Sequence, residues 1–238
     1  MLPEVYWLSP AGSVHLVAFG LMIPMLAWLQ RRKLVAGGWP LGPRLPHYRR
    51  GVASLIVFAA LSLATAWSQR IQLFPASIDR PWISIAAAIA MYVIAVTLMR
   101  PRWRRAVERG LPHVYYFMPD TREERRWWIA VSILAGISEE ITWRGVQPAL
   151  AAFVVGSPVA GALVAAISFG AAHATQGWKS ASLIVLFALA FQSLVWLSGT
   201  LVLAMAVHAA YDVTAGLAYA RFGRQLGYKV PPKAPTPP

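Results

Sequence analysis

Residues 130–150 read AVSILAGISEEITWRGVQPAL. The stretch is apolar enough to enter a bilayer, yet with no loop signal it carries Glu139, Glu140 and Arg144. A central charged residue costs about 2.5–3.5 kcal/mol on insertion scales, so this helix bears a heavy load. Part of it is offset locally. Glu140 and Arg144 are four apart with the acid on the N-terminal side, the better orientation for a helical ion pair. Glu139 lies about 100° further round the helix and cannot share that pairing equally. It is the carboxylate left for chemistry.

Two further polar intrusions follow. Phe169 and His173 sit one turn apart at the end of ISFGAAHATQG, and His208 and Asp212 sit one turn apart in LAMAVHAAYDV. Ionisable groups in apolar helices must face protein interior or water. The three segments together therefore predict a wet cavity inside a bundle. A carboxylate and a histidine can activate water as general base and proton shuttle. A second histidine can stabilise a developing oxyanion. That chemistry is acyl hydrolysis, of a peptide above all, with water as nucleophile. The chain has no cysteine, and His-Glu-x-x-His is absent, which removes a thiol nucleophile and the helical zinc-protease motif.

The elements that must position these groups are helices. Of 238 residues, 58% are apolar and only 13% charged, against about 25% charged in soluble domains. The expected fold is all-α: a polytopic transmembrane helical bundle of about seven spans (six to eight), with the catalytic cavity among the later helices. The spans are read at 14–29, 52–67, 82–99, 127–150, 154–173, 181–197 and 201–220. Residues 37–46 read as a Gly/Pro-rich loop. Thr121 and Glu124 form a helix-start pattern, leading an interfacial helix into the fourth span. The division expected is 1–126 for N-terminal spans, basic loops and lead-in, 127–220 for the catalytic core, and 221–238 for a basic, Pro-rich, disordered tail.

Net charge is +13. The connections between spans alternate between rich and poor in Lys and Arg, which accounts for the charge by orientation in the membrane and calls for no nucleic acid. The alternation predicts an outside N-terminus and a cytoplasmic C-terminus.

Glu139-Glu140-x-x-x-Arg144, Phe169-x-x-x-His173 and His208-x-x-x-Asp212 stand in the order and spacing of the CPBP intramembrane proteases, also called the Abi or CAAX-prenyl-protease-type family. The resemblance covers roughly residues 121–220 and includes Gly145 after the arginine and Gln176-Gly177 after the histidine. It implies an intramembrane, glutamate-dependent endopeptidase of the bacterial branch, in the cytoplasmic membrane. Its substrate would be a membrane-embedded or lipid-anchored peptide. By that resemblance Glu139 and His173 activate water, Glu140, Arg144 and Phe169 support the site, and His208 with Asp212 forms the oxyanion site. No cofactor is expected; zinc on Glu139, His173 and His208 is the alternative in ligand type.

The departure is Asp212, where the prenyl-protein proteases carry Asn. Ionised Asp accepts only and opposes an oxyanion. Burial could keep it protonated, or it could accept from His208 and orient that ring. The competing functions are a non-catalytic immunity or regulatory partner of the same fold, a transporter or proton relay, and, more remotely, a haem held by His173 and His208.

Overall fold

The computed structural model describes residues 7–37 and 41–228. Among them every regular element is helical. Helix α1 (Pro10–Val17) passes through a π-helical segment, Ala18–Met22, into α2 (Ile23–Gly37). Then come α3 (Arg44–Ser68), α4 (Pro81–Glu108) and a 3-10 turn, Pro112–Phe117. Helix α5 (Arg122–Glu140) runs without a break through a second π-helical segment, Ile141–Val146, into α6 (Gln147–Val155). Helices α7 (Pro158–Ala172), α8 (Trp178–Ser198) and α9 (Val202–Leu226) complete the bundle.

Five of the predicted spans correspond to helices long and apolar enough to cross a membrane: Pro10–Ala36, Arg44–Ser68, Pro81–Glu108, Trp178–Ser198 and Val202–Leu226. The fourth, charged span is the α5–π–α6 rod. The fifth is α7, whose 15 residues reach only about 22 Å at 1.5 Å each, short of a roughly 30 Å hydrocarbon core. The bundle is thus a helical membrane protein with two atypical members, and those two carry part of the polar constellation.

Three boundaries differ from expectation. Val154 and Val155 belong to α6, not to the following span. Gly156 adopts φ +71° and ends α6, Ser157 caps α7 through the Ala160 N–H, and Pro158 takes its first position. Arg44, Leu45 and Pro46 are helical, since a proline in the first turn forfeits no intrahelical bond. The interfacial lead-in is not a separate helix: α5 is continuous from Arg122, opened by the capping box that Thr121 and Glu124 form. The tail expected to be disordered from residue 221 is helical to Leu226, where α9 ends, and residues 229–238 lie outside the described residues.

Packing on α9 decides where α5 presents its acids. A Cβ on Gly136 would lie 2.8 Å from both the Ala209 nitrogen and the Met205 carbonyl oxygen. Only a glycine lets the two backbones come so close, one turn before Glu139 and Glu140. Lower on the same pair, Trp128 fills the notch above Gly216 and donates its indole N–H to the Asp212 carbonyl at 3.0 Å.

A second set of contacts grips the π segment. His15 on α1 bonds the Gln147 amide oxygen through Nδ1 at 3.0 Å and the Ser62 hydroxyl through Nε2 at 3.0 Å. The Ser62 hydroxyl also bonds Thr142 Oγ1 at 2.8 Å, and Thr142 donates to the Ser138 carbonyl at 2.7 Å. These side chains are all buried. In an apolar bundle such a network holds only if its members find one another, so it specifies how α1, α3 and the α5–π–α6 rod are seated.

Candidate active site

All six residues of the π segment are buried, Arg144 among them. A π turn inserts a residue into the helical ladder and re-aims the side chains after it, a device found frequently at functional sites. Here it carries Arg144 under the ring of Phe169, whose centroid lies 4.2 Å from the guanidinium carbon, with Phe191 at 5.5 Å. Trp143 flanks the same Phe169 and ties to α7 through a 3.1 Å bond from its indole N–H to Ser168. Phe169 therefore covers the arginine.

Arg144 Nη1 lies 3.3 Å from Glu140 Oε1, the ion pair expected from their spacing. Its orientation falls short of a hydrogen bond, so the attraction is chiefly Coulombic. The same Glu140 oxygen accepts a 2.8 Å hydrogen bond from His208 Nδ1. This corrects the reading in which Asp212 orients His208. Asp212 Oδ2 is 3.6 Å from the other ring nitrogen, Nε2, and Glu139 Oε2 is 3.7 Å from that same nitrogen. Glu140 is fully buried, while the side chains of Glu139 and Asp212 keep 16% and 30% of their exposure. The buried acid holds the ring, and the two acids that meet the cavity face its far nitrogen.

His173 caps the end of α7 with non-helical φ and ψ. Its Nδ1 lies 2.8 Å from the Phe169 carbonyl oxygen. A carbonyl only accepts, so Nδ1 carries a hydrogen, and a neutral ring then has its lone pair on Nε2. The histidine within ion-pair reach of Glu139 is His208, at 3.7 Å. Glu139, Arg144, Phe169, His173, His208 and Asp212 nonetheless all line one cavity of about 1060 Å³. The predicted residues are thus brought together, from α5, α7, α9 and the π segment. Among the described residues no three His, Asp or Glu side chains are grouped as a metal site.

Sequence reasoning missed the Glu140–His208 bond, the His15 network and the close approach at Gly136. The first joins residues 68 apart and leaves no local spacing signal. A small residue one turn before the acids was the available clue to the third.

The fold and the cavity define a helical membrane protein with half-buried carboxylates and two histidines around a space of about 1060 Å³. Residues 122–214 match the family model described as type II CAAX prenyl endopeptidase, Rce1-like. Over that segment, less than half of its length, the chain is similar to the CAAX-protease family of membrane endopeptidases. Comparison with curated proteins and with solved structures returned no significant match.

Proposed function

We propose that this chain is an intramembrane endopeptidase that hydrolyses a peptide bond of a membrane-associated substrate with a water activated by Glu139 and His173. The observation that carries this reading is the division of labour between the adjacent glutamates. Glu140 is engaged by His208 and Arg144 in the protein interior, while Glu139 reaches the cavity.

In this mechanism Glu139 removes a proton from water as the oxygen attacks the peptide carbonyl carbon. The lone pair on His173 Nε2 accepts the water's second hydrogen and fixes its direction. Negative charge develops on the carbonyl oxygen. His208 acts as the imidazolium: its Nδ1–H donates to Glu140, and its Nε2–H donates to the developing oxyanion. The proton taken by Glu139 then passes to the leaving nitrogen and the C–N bond breaks, giving an amine and a carboxylic acid that loses its remaining proton to His173 Nε2 as a carboxylate. Each step uses groups of the chain and water alone. We propose accordingly that turnover is metal-free and survives strong chelators.

The membrane orientation belongs to the same proposal. The end of the bundle bearing Arg44, Arg122 and Arg224 faces the cytoplasm, on the positive-inside argument. An alkaline phosphatase fused after residue 228 is expected to be inactive; an active fusion reverses the orientation. The test of function is proteomics of membrane fractions carrying either the wild type or Glu139→Ala. A membrane peptide that persists uncut only with the variant identifies substrate and activity together. Identical peptide profiles refute the protease reading.

A further inference from the structure

The charges at the basic end of the bundle are sorted. The four carboxylates there are each met by an arginine that does not line the cavity: Arg104 meets Glu108 at 2.8 Å, Arg49 meets Glu123 at 3.0 Å, Arg224 meets Asp120 at 3.4 Å, and Arg44 meets Glu124 at 3.6 Å. The cavity mouth itself is lined by Arg102, Arg105, Arg109 and Lys179. All four are exposed, and among the described residues none has a carboxylate partner. Arg102, Arg105 and Arg109 recur at helical spacing along one face of α4. Lys179 comes from the first turn of α8.

Orientation in a membrane requires cations at this end, but it does not require that they ring the opening, nor that every nearby acid be tied up elsewhere. A mouth ringed by one sign of charge attracts the opposite sign and orients what enters. We infer that the mouth formed by Arg102, Arg105, Arg109 and Lys179 selects peptide substrates with an acidic segment beside the hydrophobic stretch that occupies the cavity. The inference rests on the protease reading above and adds a substrate class to it. A peptide is favoured over an anionic lipid because the four cations face the same cavity that holds Glu139 and His208, where a cleaved chain must run.

The test uses the full chain in nanodiscs of neutral phosphatidylcholine. The probes are labelled peptides with one common hydrophobic segment, flanked by three Asp, three Asn or three Lys. Binding is read by anisotropy on Glu139→Gln, which traps uncut peptide. The acidic probe is expected to bind about tenfold more tightly than the neutral one, and the basic probe most weakly. About 0.5 M salt should collapse the order. So should the triple variant Arg105→Gln, Arg109→Gln, Lys179→Gln. Three probes that bind alike, or none that binds, overturn the inference, as does an order that persists in the triple variant. So does a triple variant that loses only its association with phosphatidylglycerol while the peptide order is unchanged, for the mouth would then be a lipid site. Cleavage by the wild type is scored separately. The binding order without any cleavage sinks the protease reading and leaves the inference standing; cleavage without the order does the reverse.

Discussion

Glu140 and His208, 68 residues apart, share a 2.8 Å hydrogen bond between a fully buried carboxylate and an imidazole Nδ1. The bond spans the α5–α9 contact and fixes which ring nitrogen meets the cavity. It also makes Glu140 the meeting point of two partners, since Arg144 approaches the same oxygen. A carboxylate so placed is committed to structure, and the proposed mechanism therefore gives the chemistry to the neighbour on its N-terminal side.

Substitution should separate the two acids. Removing one partner of a buried ion pair costs about 3–5 kcal/mol, so Glu140→Gln and Arg144→Ala are expected to lower both the melting temperature in detergent and the activity. Glu139→Gln replaces a cavity-facing carboxylate by a neutral amide, which is easier to bury. It should melt near the wild type and lose at least about 100-fold in turnover, because Gln cannot take a proton from water. Paired melts and cleavage assays decide. Normal cleavage by Glu139→Gln, with a folded but inactive Glu140→Gln, would exchange the two roles.

Much of this was legible before any coordinates. The three polar motifs stand out because ionisable residues are costly in apolar helices, and their spacing of four names the faces. What escaped was whatever depends on which helices meet. The π turn at Ile141–Val146 has no sequence signature of its own; it is a shift in backbone hydrogen bonding stabilised by Thr142, Gln147 and their partners. The sequence pairs His208 with Asp212, its neighbour on one helix, whereas the tertiary partner Glu140 lies nearer. Unbroken hydrophobicity past Leu150 masks the end of α6, which the expected boundary at 150 places five residues early, although Gly156, Ser157 and Pro158 spell a stop and a restart.

Gly136 gives a test of the α5–α9 approach with an informative sign. In a helix interior Ala is favoured over Gly by about 0.5–1 kcal/mol. Here the added Cβ would press on the α9 backbone at 2.8 Å, where neither helix can yield by rotating a side chain. Gly136→Ala is expected to destabilise by about 1–3 kcal/mol and to reduce turnover by pulling Glu139 and Glu140 from His208. A melt at or above the wild-type value would show that the helices do not pack this closely.

Asp212 sets a second test. Its Oδ2 and the Glu139 Oε2 stand 3.6 and 3.7 Å from the same nitrogen of His208, so an ionised Asp212 competes for the N–H that the oxyanion needs. Asn keeps an acceptor and adds a donor. Asp212→Asn is therefore expected to keep kcat within about tenfold of the wild type, while Asp212→Leu, lacking both, falls about 100-fold. Were Asp212→Asn as inactive as Glu139→Gln, the carboxylate at 212 would be moving a proton and the base would be shared.

The last prediction concerns a residue that touches no part of the cavity. His15 joins Gln147 and Ser62, and through Ser62 it reaches Thr142, so both flanks of Arg144 hang on one imidazole. His15→Leu would leave the Gln147 amide oxygen without its His15 donor in a dry interior, at a cost of about 1–3 kcal/mol. Thr142 keeps its bond to Ser138 and Ser62 its bond to Thr142, so the network should loosen and not vanish. The expected outcome is a lower melting temperature together with a turnover loss that exceeds the loss of folded protein, because the π turn that aims Arg144 at Phe169 and Glu140 is no longer gripped from α1. His15→Gln, which can both donate and accept, should recover part of each. The measurements are melts and specific activity per folded molecule, the latter corrected by size-exclusion yield. If His15→Leu melts lower but keeps full specific activity, the network stabilises the bundle without setting the geometry of the site.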